Sequence, residues 1–151
     1  MTRAALAAAT VLMGLSAGLF ATFSYAVMPG LRRTDDSTFV HAMRAINVAI
    51  LNPVFGLVFV GAGLAAAAAL ASGWGSGARP WLVAGLLLYV AGAFIVTAAV
   101  NVPLNDALEA GTDHAAQLRA AFEDRWVLFN HVRSVLTTAA FACLVIGLGR
   151  L

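Results

Sequence analysis

Four long stretches of the chain are nearly free of charge, and the polar residues that interrupt them are unevenly placed. Ala4–Met28 runs 25 residues without a charged side chain. Ala45–Ala71 runs 27, broken only by Asn47, Asn52 and Pro53. Trp81–Val100 runs 20, and Trp126–Leu148 runs 23 with one cation, Arg133, and one histidine, His131. A helix needs about 20 predominantly apolar residues to cross a bilayer, so each stretch is long enough. Lipid offers the backbone no hydrogen-bonding partner, which leaves helices or closed barrels, and no ten-residue alternating segments suggest a barrel. The pattern predicts an all-α integral membrane four-helix bundle. One domain covers residues 1–151, with spans near 4–28, 53–72, 81–100 and 127–148. The first stretch is longer than the roughly 7–15-residue core of a signal peptide, and it reads as a retained helix.

The connections differ in kind. Gly73–Pro80, "GWGSGARP", is a Gly-rich turn whose proline opens the third span. The first and last connections are long, and each ends in a polar helical segment that feeds the next span on the same face of the bundle. In the first, Asp36 or Ser37 is the expected N-cap of "STFVHAMRAINVAILN". Phe39, Met43, Ile46 and Ile50 form an apolar stripe, with His41, Arg44, Asn47 and Asn52 on most of the opposite arc. That helix either lies on the membrane surface or turns its polar arc inward to roof the bundle. Pro53 is expected to kink or interrupt it. In the last connection, Pro103 in "NVPLN" is expected to break the third span, and Asp113 to cap the segment leading into the fourth.

Composition agrees with membrane residence: 62% of residues are hydrophobic and only 11% charged, with a mean hydropathy of +0.90, against about a quarter charged in soluble domains. The basic residues are arginines scattered without a block, so nucleic acid is not an expected partner. Cys143 is the one cysteine, which excludes an internal disulfide and thiol-relay chemistry; it reads as a small core residue. The face with both termini carries Arg3, Arg79 and Arg150 and no acid. The opposite face carries Arg32, Arg33, Arg44, Arg119, Arg125 and Arg133. If Arg44, Arg119, Arg125 and Arg133 fold into the protein, the positive-inside rule puts both termini in the cytoplasm of a multi-pass cell-membrane protein.

The segment "RWVLFNHVRSV" (125–135) holds the densest candidate chemistry. Trp126, Asn130, Arg133 and Thr137 are spaced four, three and four apart and share one helical stripe, which Glu123 extends by a turn. An arginine facing lipid near the bilayer centre costs about 2.5–3.5 kcal/mol, so the stripe should face the interior. The competing reading has Arg133 snorkelling and Trp126 in an interfacial belt, which leaves Asn130 unexplained. His41, His114 and His131 lack the spacing of a helical metal pair, so haem or metal could be held only by tertiary contact between His41 and His131. No hydrolase, nucleotide or zinc-protease motif occurs. All seven acids lie outside the apolar stretches, which argues against a proton-coupled pump. Gly14, Gly18, Gly85 and Gly92 are suited to close helix approach and would also permit a homodimer.

"FVHAMRAINVAILNP" (39–53), "NVPLN" (101–105) and "WVLFNHVR" (126–133), spread over four spans, resemble the anthrone-oxygenase-like family of small four-span membrane proteins. The matching positions are Asn47, Asn52, Asn101, Pro103, Asn105, Trp126, Asn130 and Arg133, with His131 a weaker match. The resemblance implies a four-helix bundle and, from characterised fungal members, oxidation of an anthrone methylene to the quinone by dioxygen. Such a reaction needs a base for the methylene proton and donors for the developing oxyanion, in a site shielded from water. The resemblance suggests His41 or His131 as the base. Arg133, Asn101, Asn105 and Asn130 would then be donors, Trp126 a stacking surface, and Asn47 and Asn52 further substrate contacts. In this scheme the anion passes an electron to dioxygen without a metal or other cofactor, and an apolar quinol would fit as well as an anthrone. The alternatives are a non-catalytic binding or partner subunit, and a haem- or metal-binding protein that uses His41 and His131.

Overall fold

The computed structural model describes residues 2–151. It contains four helices long and apolar enough to cross a membrane: α1 (Arg3–Leu31), α3 (Pro53–Ser72), α4 (Arg79–Ala110) and α5 (Ala115–Leu148). The fifth helix, α2 (Asp36–Ala49), lies between the first two. The chain is thus an all-helical, multi-pass membrane protein. Each span packs against two others, giving the cyclic order α1, α3, α4, α5. The turn between α3 and α4 meets the C-terminus, since a Cβ added at Gly77 would lie 3.2 Å from the Arg150 carbonyl. At the other end, α2 lies across α5 and the end of α4 and buries Phe39, Val40 and Met43 with Leu108, Phe122 and Trp126. α2 is therefore a roof, with its polar arc turned partly inward.

Small residues set the packing near the termini. A Cβ at Gly85 would meet the Leu144 side chain and come within 3.2 Å of the Ala140 carbonyl. At Gly92 it would come within 2.6 Å of Leu136 Cβ, and at Gly14 within 3.0 Å of the Phe141 ring. Gly18 differs from the expectation: nothing lies within 4 Å of its added Cβ. One polar chain crosses this half. Tyr89 donates to the Phe59 carbonyl at 2.8 Å, and its oxygen accepts from Ser16 at 2.9 Å, joining α4, α3 and α1.

Local signals explain several boundaries and correct others. Asp35, rather than Asp36 or Ser37, caps α2 by accepting from the Thr38 amide at 2.9 Å. Asn52 caps α3 by accepting from Phe55, which leaves Pro53 at the first turn where its missing N–H costs nothing. The interruption expected at Pro53 is therefore a complete break between α2 and α3. α5 begins after His114, whose side chain makes no capping bond, and not at a cap by Asp113. Pro103 does not break α4. A wide turn over Thr97–Asn101, in which the Val102 amide reaches the Thr97 carbonyl, precedes it, and the helix continues to Ala110. Another wide turn, Phe23–Val27, precedes Pro29 in α1. Proline's ring crowds the carbonyl four residues back, and a π-helical turn displaces that carbonyl without ending the helix.

Of the four arginines expected to fold in, three do. Arg44 donates to the carbonyls of Leu108 and Gly111 at 2.7 Å each, holding the α2 roof on the end of α4. Arg119 bonds Glu123 at 2.6 Å and the Thr34 carbonyl at 2.9 Å, and Arg133 is buried. Arg125 is exposed. Exposed arginines are therefore equal in number on the two faces, with Arg3, Arg79 and Arg150 against Arg32, Arg33 and Arg125.

Candidate functional site

The stripe expected on α5 faces inward. Trp126, Asn130, Arg133 and Thr137 are all buried, and Glu123 one turn out is buried between Arg32 and Arg119. Arg133 therefore does not snorkel, and Trp126 is not a belt residue. The Arg133 guanidinium lies 4.6 Å from the centre of the Phe20 ring and 5.2 Å from that of Trp126. It donates to Asn130 Oδ1 at 2.9 Å and to Thr97 Oγ1 at 3.2 Å. Among the described residues no carboxylate forms an ion pair with it. Two aromatic faces and two neutral oxygens thus hold a buried cation without neutralising it.

Asn130 is the pivot of this arrangement. Its amide nitrogen donates to the Phe20 carbonyl at 3.0 Å and to Ser24 Oγ at 2.8 Å, while its oxygen accepts from Arg133. Ser24 in turn bonds Ser134 at 2.8 Å. Ser24 lies in the wide turn of α1, whereas Thr97 and Asn101 lie in the second of two in α4, which follows one over Val90–Ile95, so these two turns direct polar side chains at α5. Such turns rotate the residues after them relative to a regular helix, a use often seen at functional sites.

Beside Arg133 lies a cavity of about 520 Å³, within the range of small-molecule sites. Its walls come from all five helices. Phe20 and Phe23 belong to α1, Ile46 and Asn47 to α2, and Phe55 to α3. Thr97, Asn101, Asn105, Asp106 and Glu109 come from α4, with Trp126 and Arg133 from α5. The Trp126 indole is fixed by donating to Asn105 Oδ1 at 2.8 Å and by stacking on Phe122. Asn101 donates to the Trp126 carbonyl at 3.4 Å. Three buried side-chain atoms lack a hydrogen-bond partner among the described residues: Asn47 Nδ2, Asn101 Oδ1 and Arg133 Nε. All three belong to residues that line this one cavity. An unsatisfied buried polar group costs about 1–3 kcal/mol, so three around a single hollow form a set of two donors and one acceptor suited to a ligand.

Of the residues singled out from the sequence, Asn47, Asn101, Asn105, Trp126 and Arg133 meet at the cavity. Asn130 stands behind it, its amide occupied by the protein itself. Asn52 is exposed and spends its side chain capping α3 and bonding the Ala49 carbonyl at 2.9 Å. His41 and His131 are both exposed and neither lines the cavity. Among the described residues no three His, Cys, Asp or Glu side chains cluster to hold a metal. Sequence reasoning passed over Thr97, Asp106 and Glu109. Thr97, Asn101 and Asn105 repeat every fourth residue and signal an inward stripe on α4, which the expected break at Pro103 concealed.

No curated protein and no solved structure matches this chain. The family model described as anthrone oxygenase matches residues 43–143, two thirds of the sequence and every cavity-lining residue of α4 and α5 named above. The chain belongs to the anthrone oxygenase family.

Proposed function

We propose that the protein is a membrane-embedded oxidoreductase that uses dioxygen to oxidise an apolar aromatic substrate of the anthrone or quinol type. What carries this reading is the meeting on one aromatic-walled cavity of three residues, Asn47, Asn101 and the buried Arg133 without an ion-pair partner, each with one side-chain polar atom that has no hydrogen-bond partner among the described residues. A flat ring packs against Trp126 and Phe23. Its oxygen accepts from Arg133 Nε and Asn47 Nδ2, and a phenolic hydroxyl donates to Asn101 Oδ1.

With an anthrone, a base removes a methylene proton and the negative charge delocalises onto the ring oxygen. Arg133 and Asn47 stabilise that oxyanion in a site of low polarity, where fixed donors act most strongly. The carbanion gives one electron to dioxygen, and the radical and superoxide combine into a carbon-bound hydroperoxide after protonation. Loss of the second methylene proton breaks the O–O bond and leaves the carbonyl, so one methylene and one dioxygen give one carbonyl and one water. Asp106 and Glu109 are the proton acceptors in this reading, since they line the cavity and the histidines do not.

The test uses purified protein in lipid nanodiscs with an anthrone, following quinone formation and dioxygen uptake. One dioxygen per quinone, at a rate above protein-free autoxidation, is expected. Arg133→Met should lower the rate roughly 100-fold, the usual effect of losing an oxyanion donor. Asp106→Asn with Glu109→Gln should lower it comparably, and His131→Ala should leave it intact. Turnover no faster than autoxidation, or full activity in Arg133→Met, would overturn the proposal.

A further inference from the structure

A second hollow of about 540 Å³ adjoins the polar cavity and shares Leu19, Ile50 and Phe55 with it. Leu15, Val54 and Val58 complete its walls, and Asn52 is its one polar lining residue. Asn52 spends its oxygen and one amide hydrogen on the backbone, so the walls of this hollow are almost wholly apolar. Its position follows from the break between α2 and α3. Where the helix ends at Ala49 and restarts at Pro53, Leu51 and Val54 are left 79% and 70% exposed, and Val54 lines the groove together with Leu15 of α1. The two hollows are therefore neighbours that share the side chains of Leu19, Ile50 and Phe55, and the second is an apolar groove between α1 and α3.

From this adjacency we infer that the substrate has two parts: an oxygenated aromatic head in the polar cavity and a hydrocarbon tail that passes the shared side chains into the groove between α1 and α3. This rests on the reading of the cavity as an aromatic site. A bare tricyclic ring uses only the first hollow, and a second of similar size reached through shared walls suits an alkyl or prenyl chain on the same molecule. The groove opens on the apolar flank of two spans, so a tailed substrate enters sideways from the bilayer, head first, without crossing water. Selectivity for a tail comes from van der Waals packing along the groove, because a chain left in lipid is already in an apolar medium.

The experiment measures binding of a dihydroxyanthraquinone and of the same ring carrying a decyl chain, by quenching of tryptophan fluorescence in nanodiscs of one lipid composition. Using one composition cancels partitioning into the bilayer when variants are compared. Leu15→Trp fills the groove from an exposed position, and Leu64→Trp places the same bulk at an exposed position outside both hollows. Leu15→Trp should reduce the tailed-to-tailless affinity ratio roughly fivefold, the packing of several methylenes being lost, while Leu64→Trp leaves it unchanged. An unchanged ratio in Leu15→Trp, or equal loss for both ligands, would overturn the tail assignment even if the ring binds well. Binding of neither ligand to the unaltered protein would overturn both the tail assignment and the aromatic site. Binding of the tailed ligand alone, lost in Leu15→Trp, would sustain the groove and sink the ring contacts.

Discussion

The two ends of the bundle solve opposite problems. Near the termini, glycines and alanines bring α4 and α5 so close that Gly85 admits no Cβ without moving Leu144 or the Ala140 carbonyl. The polar chain that crosses it, Ser16 to Tyr89 to the Phe59 carbonyl, is complete. Toward α2 the helices separate around a hollow, and polar side chains on its walls are left without partners. Close packing and satisfied bonds make a scaffold, whereas the open end keeps polar atoms unsatisfied at a cost in stability that ligand binding relieves.

The largest effect on stability should come from closing the tight end. Gly85→Val is expected to cost about 3 kcal/mol or more by overpacking against Leu144 and the Ala140 carbonyl, read as a lower unfolding midpoint in detergent. The same glycine-to-valine change at Gly18, where nothing lies within 4 Å, should be nearly silent. A large loss at Gly18 would break the contrast.

The asparagines sharpen the comparison further. Asn130→Leu strands the Arg133 guanidinium and Ser24, and should destabilise by about 2 kcal/mol. Asn47→Leu removes an unsatisfied donor, so stability should stay unchanged or rise by up to about 1 kcal/mol while oxidation slows. Thermal midpoints beside turnover for the two variants separate these roles, and equal destabilisation would show that Asn47 is structural.

Asp35 gives the smallest effect. The Thr38 hydroxyl and amide hold its carboxyl below the usual carboxylate range. The stabilisation of α2 by this cap is thus present above about pH 4 and lost as pH falls further, through the lowered value. Amide exchange at the start of α2 should quicken in that window, and Asp35→Ala should remove the pH dependence.

Much of this was legible in the residues. The four spans follow from apolar length alone, and the inward stripe of α5 from the spacing of Trp126, Asn130, Arg133 and Thr137. The extent of α4 was hidden because a proline inside a helix ordinarily ends it. The wide turn over Thr97–Asn101 lets the helix pass Pro103, which carries Asp106 and Glu109 to the cavity. Wide turns have no sequence signature comparable to a capping residue. The histidines drew attention for their chemistry, yet His131 is one residue from Asn130, and that 100° rotation is enough to turn it outward. Spacing separates Asn130 from His131, but it could not reveal that Asn130 braces Arg133 while Asn47 and Asn101 keep atoms free.

The most direct test of the cavity as a ligand site is a titration of dihydroxyanthraquinone against the unaltered protein, Asn47→Leu and Asn130→Gln, with affinity read from tryptophan quenching. Saturable binding, weakened roughly tenfold by Asn47→Leu as a buried hydrogen bond is lost and much less by Asn130→Gln, is the expected result. Equal affinity in the unaltered protein and Asn47→Leu would show that the unsatisfied atoms around Arg133 do not recognise the ring, and would contradict the site.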